Sequence, residues 1–327
     1  MSQFEAKYTS TKSIPVIDMT PLRDGSDSTG VARALHAASK DLGFIYVKGH
    51  GIPEEVIAAA RRSAFKFFRY PDAVKKSVAV SFKHRGWVGL GSAMMDEGFK
   101  ADLKESFIWG AQDASGSTPD DHALRGPNQW PDFDADLERH AVQYFRYAHE
   151  VAQHLMRGFA LGLNLDENFF LRTADRPLSR ASYVYYPSQS PETSAGNFGA
   201  GPHTDFGVLT VLNQDLVGGL QVQNLKGEWI QAPPISGTLI INVADLLSRW
   251  TDGIYRSTPH RVVNTSGRDR LSLVLAYDPN PETMIDAREI FGDGYTPKDK
   301  PVSCGDYLVE RFERAFPYRR EDGVHGR

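Results

Sequence analysis

"GPHTDFGVLTV", residues 201–211, sets a histidine and an aspartate two positions apart at the entrance to a run whose apolar, β-branched character is that of a buried strand. Side chains on an extended chain alternate faces. His203 and Asp205 are therefore expected to project to one side of that strand, with attachment points roughly 7 Å apart. An imidazole and a carboxylate so placed can converge on one small object. Val208, Leu209, Val211 and Leu212 would anchor the pair on a rigid element.

Outward from this stretch the pattern is one of short β runs. "ASYVYY" (181–186) precedes it, and "GLQVQ" (219–223), "TLIINV" (238–243), "HRVV" (260–263) and "LSLVLAY" (271–277) follow, with Gly, Pro, Asn and Asp between them. Strands punctuated this way predict a sandwich or barrel, not alternating β and α units. Upstream, residues 136–163 keep a helical period throughout, as a single bracing helix would. The first third mixes both kinds of element. "SIPVIDM" reads as a short strand, and "GVARALHAASKDLG" as a helix stopping at Gly43. "FIYVKGHGIP" reads as a strand, followed by a helix from Pro53 through "EEVIAAARRSAFKFF". Residues 81–131 are rich in Gly, Asp, Ser and Pro and hold few regular elements besides "ESFIWG". Such a segment is expected to drape over a site. The expected fold class is mainly β with α decoration. One catalytic domain would span 1–327, with an N-terminal α/β region over 1–130 and a barrel core over 175–285.

Composition narrows the function classes. The chain has 327 residues, 41% hydrophobic and 24% charged, in the balance of a globular protein with a sizeable core. A net charge of -4, with acids and bases interspersed, argues against nucleic acid and against a polybasic membrane patch. With no signal-like start and no apolar run of about 18 residues, the expected location is cytoplasmic. Cys304 is the only cysteine, which rules out an internal disulfide and a multi-thiolate zinc site. It reads as a packing residue.

A metal held by two side chains is under-held. His260, in "STPHRVVN", lies 260 − 205 = 55 positions after Asp205, again at the mouth of a β-like run, where a strand returning across a barrel would bring it opposite the pair. Two histidines and a carboxylate on one face of an octahedral ion leave three positions open, the arrangement of non-haem Fe(II) oxygenases. H-x-D alone is a weak signal among 10 histidines. The other eight read as surface or satisfied structural residues. "HEVAQH" (149–154) spaces its histidines five apart, off a common helix face, and so misses the zinc pattern. "RDRLSLVLAYDPN" adds weight. Alternation puts Arg270, Ser272, Val274 and Ala276 on one face and Leu271, Leu273 and Leu275 on the other. With the leucines packed on helices, Arg270 and Ser272 would point into the barrel, where a buried guanidinium costs several kcal/mol unless a carboxylate meets it. That carboxylate comes either from the protein's own acids or with a ligand.

These residues, in this order and spacing, resemble the iron- and 2-oxoglutarate-dependent dioxygenase superfamily, in the branch containing isopenicillin N synthase and the plant flavonoid and gibberellin oxygenases. The N-terminal "IPVIDM", "DLGFIYVKGHGIP" (41–53) and "KESFIWG" (104–110), and the core "GGLQVQ" (218–223) and "NVADLLSRWTDGIYRSTPHRV" (242–262), are similar too. The resemblance implies a double-stranded β-helix, or jelly roll, with flanking helices and with Fe(II) on His203, Asp205 and His260. It implies that Arg270 and Ser272 hold the distal carboxylate of 2-oxoglutarate, with Tyr186 at the position of a further hydrogen bond. It also implies oxidation of an unactivated C–H bond of a small organic substrate by O2, by hydroxylation or desaturation, with release of succinate and CO2. The branch contains an alternative, a cosubstrate-free oxidase in which Arg270 and Ser272 hold a substrate carboxylate. Two departures stand out: Val184 where many plant members carry Asn, and Asn242-Val243-Ala244-Asp245 where N-x-G-D is frequent. Substrate choice is expected from the loop around Arg85 to Glu105, with Trp87, Met94, Met95 and Phe99, and from the C-terminal "RFERAFPYRR" (311–320), residues that lid packing explains equally well. Arg180, which opens "RASYVYY", reads as a surface residue, with a cationic contact for an acidic substrate as the alternative. Oligomeric state is not legible.

Overall fold

The computed structural model describes residues 6, 14–92, 102–113, 115–189 and 197–321. Its centre is a pair of sheets. The strands are β1 (Val16–Asp18), β2 (Phe44–Lys48), β3 (Gly86–Val88), β4 (Glu105–Gly110), β5 (Arg180–Tyr186), β6 (Ala200–His203), β7 (Leu209–Gln214), β8 (Leu220–Gln223), β9 (Trp229–Gln231), β10 (Leu239–Val243), β11 (His260–Val262) and β12 (Arg270–Tyr277). The larger sheet runs β1-β2-β10-β7-β12-β5-β4-β3, and the smaller β6-β11-β8-β9. All pairings in the larger sheet are antiparallel except β1 with β2. The expected jelly roll is what forms, and the N-terminal strands extend its larger sheet at both edges.

The alternation read in β12 decides how the layers pack. Leu271, Leu273 and Leu275 are fully buried in the main apolar core on the helical side of the sheet. Arg270, Ser272, Val274 and Ala276 face the space between the sheets. The bracing helix is Ala135–Gly162, one residue from the reading at each end, and it lies against the helices Ser28–Asp41 and Glu54–Phe68. Gly158 permits the first crossing, since a Cβ there would stand 2.6 Å from Leu35 Cδ1. Truncating Leu273 to Ala in such a core costs about 2–5 kcal/mol. A second apolar cluster, including Phe44, Leu220 and Val262, fills part of the space between the sheets.

One local reading needs correction. His203 and Asp205 do not share a strand. His203 ends β6 in the smaller sheet, Asp205 lies in the connection, and β7 belongs to the larger sheet. The H-x-D segment is the crossover between sheets, so its geometry is set by what the turn is tied to and not by strand alternation. Residues 81–131 contain β3 as well as β4, at the far edge of the larger sheet, while the stretch with Met94, Met95 and Phe99 lies outside the described residues.

Candidate active site

His203 pairs directly with His260, the first residue of β11, and the two imidazole centroids lie 4.3 Å apart. Strand pairing alone therefore brings together two residues that are far apart in sequence. Asp205 completes the group: its Oδ1 is 3.8 Å from His203 Nε2 and 3.7 Å from His260 Nε2. One ligand-capable atom from each of the three falls within 4.8 Å of the others, and among the described residues this is the group that could hold a metal ion.

The surroundings fix which atoms point inward. His203 Nδ1 pairs with the carbonyl of Gly201 at 2.7 Å, and His260 Nδ1 with that of Thr258 at 3.2 Å. A carbonyl can only accept, so each Nδ1 carries the proton and each Nε2 keeps a lone pair for the cluster. Asp205 Oδ2 accepts from Thr210 Oγ1 at 2.6 Å and from Asn242 Nδ2 at 2.8 Å, which leaves Oδ1 for the cluster. The backbone of the turn is pinned by the segment after β10, where the N–H of Asp245 donates to the Asp205 carbonyl at 2.8 Å and that of Leu246 to the Gly207 carbonyl at 2.8 Å. The Asn-Val-Ala-Asp stretch thus holds the aspartate at side chain and backbone together, and Ala244 in place of Gly interferes with none of it.

Burial, and then the neighbouring His260, lower His203 to about 4, against the opposing pull of Asp205. For Asp205 burial acts to raise the carboxyl, but the two imidazoles and the bonds from Asn242 and Thr210 outweigh it and bring it to about 2. At neutral pH the cluster therefore presents a neutral His203 and an ionised Asp205. That is the state in which both donate lone pairs to a divalent cation.

The cluster lies on the wall of a cavity of about 200 Å³ between the two sheets. At the depth of the Arg270–Tyr186 strand pair the cavity ends on a guanidinium. Arg270 is 0% exposed, its Nε donates to the Gly218 carbonyl at 2.6 Å, its Nη1 donates to Ser272 Oγ at 2.8 Å, and its Cζ sits 4.6 Å from the centre of the Tyr186 ring. Nη2 is buried with no partner among the described residues, and no described carboxylate forms an ion pair with this arginine. The carbonyl of Gly218 reaches it because the next residue, Gly219 at φ +88°, packs on Val263, where a Cβ would stand 2.5 Å from the carbonyl oxygen. An orphaned buried guanidinium beside a hydroxyl, across a cavity from a metal-capable cluster, fits a dicarboxylate whose other end reaches the metal.

Several residues outside the motifs also line this cavity. Lys104, its Nζ 2.8 Å from Asp102 Oδ2, stands on the side of the cluster, and His84 enters from the segment before β3. Arg180, read as a surface residue, is not one. Its side chain is 14% exposed, donates to the fully buried Asp278 at 2.6 Å, stacks at 4.5 Å on Phe312 and lines the cavity. Position 180 opens β5 on the same face as Ser182 and Val184, and the alternation rule applied to β5 as to β12 finds it. Trp87 also departs from expectation. It is buried in the core, with its indole N–H on Glu105 at 2.7 Å, and offers the cavity nothing. Phe312 and Phe316 of the C-terminal stretch do line the cavity. In the near-miss zinc segment, His149 stacks on Phe145 and His154 faces Glu150 at 3.9 Å, with no convergence. Cys304 is fully buried.

Comparison with known proteins gives the same picture along the whole chain. Residues 14–133 match the family described as non-haem dioxygenase in morphine synthesis N-terminal, and residues 176–279 match the 2OG-Fe(II) oxygenase superfamily. A probable iron/ascorbate oxidoreductase of Dictyostelium discoideum is 33% identical, covering 88% of this chain and 89% of that protein. A homoarginine-6-hydroxylase of Oryza sativa subsp. japonica is 32% identical over 93% of this chain and 98% of its own length. The crystal structure of a full-length Neurospora crassa protein in complex with alpha-KG and thymine superposes with a TM-score of 0.82 at 28% identity, covering 95% of this chain and 99% of that one. With the barrel, the metal-capable cluster and relatives aligned nearly end to end, this chain belongs to the Fe(II)- and 2-oxoglutarate-dependent oxygenase superfamily, and its cofactors are Fe(II), 2-oxoglutarate and O2.

Proposed function

We propose that His203, Asp205 and His260 are the iron ligands of this oxygenase, and that Arg270 and Ser272, with Tyr186 beneath the guanidinium, bind the distal carboxylate of 2-oxoglutarate. The observation that carries the reading is Arg270 Nη2, a donor in a fully buried guanidinium with no partner among the described residues. Such a donor costs free energy until an acceptor arrives. The reaction is an oxidation, hydroxylation in the first place, of a small organic substrate coupled to conversion of 2-oxoglutarate to succinate and CO2.

Each residue has a separable task. The Nδ1–H bonds to Gly201 and Thr258 orient the two imidazoles before metal arrives. Thr210 and Asn242 hold Asp205 so that one oxygen points at the metal position. When bound, the iron supplies O2 activation and oxidation of a C–H bond, and 2-oxoglutarate supplies two of the electrons. Arg270 and Ser272 set how deep the cosubstrate sits, and the apolar walls exclude water. The cavity, small beside the roughly 300–1,000 Å³ typical of ligand pockets, limits the second substrate to a small molecule.

The test is anaerobic reconstitution with Fe(II) and titration with 2-oxoglutarate, following the weak visible charge-transfer band of keto-acid chelation. The band is expected in the native chain, displaced to higher 2-oxoglutarate concentration in Arg270→Leu, and absent in His203→Ala along with iron binding measured by metal analysis. Iron binding without a band at millimolar 2-oxoglutarate would overturn the reading and leave Arg270 to a substrate carboxylate.

A further inference from the structure

The cavity has a second cationic region. Arg180 begins β5 and faces Ala276 of β12, which faces Thr210 of β7. Arg180 therefore lies in the same row across the sheet as the threonine that holds Asp205, two strand spacings or about 10 Å away. Arg270 opens β12 at its other end, six residues before Ala276. A cosubstrate held at Arg270 leaves Arg180 untouched. Arg180 Nη1 donates to Asp278, and the remainder of the guanidinium borders the cavity.

The charge around this region does not balance. Arg85 is 2% exposed and donates only to the carbonyls of Lys83, His84 and Leu124, and its Nε has no partner among the described residues. Arg125, Arg180 and Arg319 all press on it electrostatically. Each of those three has an acid to offset it: Asp121 for Arg125, Asp278 for Arg180 and Glu313 for Arg319. Arg85 has none among the described residues, and Asp121 is shared between Arg125 and Arg176, so positive charge in this region exceeds the acids that face it. Next to Arg85 in the chain, His84 adopts φ +60°, a conformation uncommon for a non-glycine residue. Its ring lies on Phe312 at 4.7 Å, its Nδ1 is 2.5 Å from the Tyr318 hydroxyl, and it lines the same cavity.

We propose that Arg180, with the His84 ring beside it, is the specificity determinant for the oxidised substrate, and that this substrate is a small monocarboxylate. Arg180 lines this end of the cavity and can receive one carboxylate at the edge that Asp278 leaves, and a planar carboxylate meets that edge better than a neutral amide does. Phe312, on which Arg180 stacks, packs on Phe206, and both line the same cavity, so the body that carries the reacting C–H bond is apolar. The row geometry puts that bond a few carbons from the carboxylate. The assignment rests on the iron and 2-oxoglutarate reading above, and it predicts a preference, acid over amide, that the reading alone does not.

The experiment uses the full chain with Fe(II) and saturating 2-oxoglutarate under anaerobic conditions. Matched probes (benzoate and benzamide, phenylacetate and phenylacetamide, hexanoate and hexanamide) are titrated by calorimetry and by their perturbation of the charge-transfer band. At least one acid is expected to bind tenfold or more tightly than its amide. In Arg180→Met that gap falls below threefold while the 2-oxoglutarate titration is unchanged, and Arg180→Lys retains part of it. Because Arg180→Met strands the buried Asp278, the double variant Arg180→Met/Asp278→Asn is measured in parallel, with the same loss of preference expected. Amides binding as well as acids, failure of every acid to bind, survival of the gap in the folded variants, or preference for phenyl phosphate over the carboxylates would each overturn the proposal. Absence of the 2-oxoglutarate band in the native chain would instead strike the underlying reading.

Discussion

At the Arg270 end of the cavity a single strand supplies both the guanidinium and the hydroxyl, two residues apart, and the bond between them is 2.8 Å. At the Arg180 end the cation comes from β5, its counter-ion Asp278 from just beyond β12, the stacked Phe312 from the C-terminal helix Cys304–Ala315, and the His84 ring from the segment before β3. The first end is local and written in one alternation. The second is an assembly of four segments drawn from most of the chain's length, and its charge is largely but not wholly compensated. On the proposed roles, the cosubstrate contact is carried by one short motif, whereas the contact that would select the substrate is spread over four segments.

The His203–Asp205–His260 cluster, the proposed iron site, lines the same cavity as both ends, and removing it should erase the distinction between them. In Asp205→Ala, succinate formation is expected to fall by roughly 10³-fold or more, equivalent to about 4 kcal/mol of lost transition-state stabilisation. The check is turnover at saturating iron and 2-oxoglutarate. Turnover within tenfold of native would remove Asp205 from the ligand set.

Arg270→Leu sharpens the contrast directly. Loss of charged hydrogen bonds worth about 1.5–3 kcal/mol should raise KM for 2-oxoglutarate by roughly ten- to a hundredfold. Binding of carboxylate probes at the Arg180 end should stay within threefold of native. Arg180→Met is the mirror image. If either variant moved both constants together, the two ends would not be independent sites.

Asn242→Ala is the next smaller effect. It leaves Asp205 Oδ2 with Thr210 alone, and loss of such a supporting bond typically lowers metal affinity by about 10–100-fold. The measurement is Fe(II) titration, and with iron saturating, 2-oxoglutarate affinity should be native. An unchanged iron affinity would show that Thr210 and the Asp245 backbone bond suffice.

The same contrast explains what can be read before folding. The strand runs, the bracing helix and the inward face of β12 follow from periodicity, because a buried strand exposes its role in each successive residue. His203, Asp205 and His260 are legible as types and spacing. How His203 and Asp205 are held is not: they lie on the crossover between two sheets, where the constraint is the Asp245 N–H on the Asp205 carbonyl, a contact between segments remote in sequence. The inward face of Arg180 is legible from the alternation of β5, but its partners Asp278 and Phe312 are not, because they are brought there by tertiary packing. Trp87 misleads because a tryptophan in a polar segment looks available until Glu105 takes its indole proton in a hydrogen bond.

The smallest test lies at the one position where the cosubstrate end departs from many plant members of the superfamily. Val184 pairs directly with Ser272 across β5 and β12 and lines the cavity, so its methyl groups face the space beside the clamp hydroxyl. Val184→Asn would place an amide donor there at nearly constant volume. One added hydrogen bond to a carboxylate is worth about 1 kcal/mol, so KM for 2-oxoglutarate should fall by roughly three- to tenfold. The acid-over-amide preference proposed for Arg180, four residues along the strand, should not change. An unchanged KM would mean that the clamp is already complete without a second donor. A changed substrate preference would mean that the boundary between the two ends lies further along β5 than Val184.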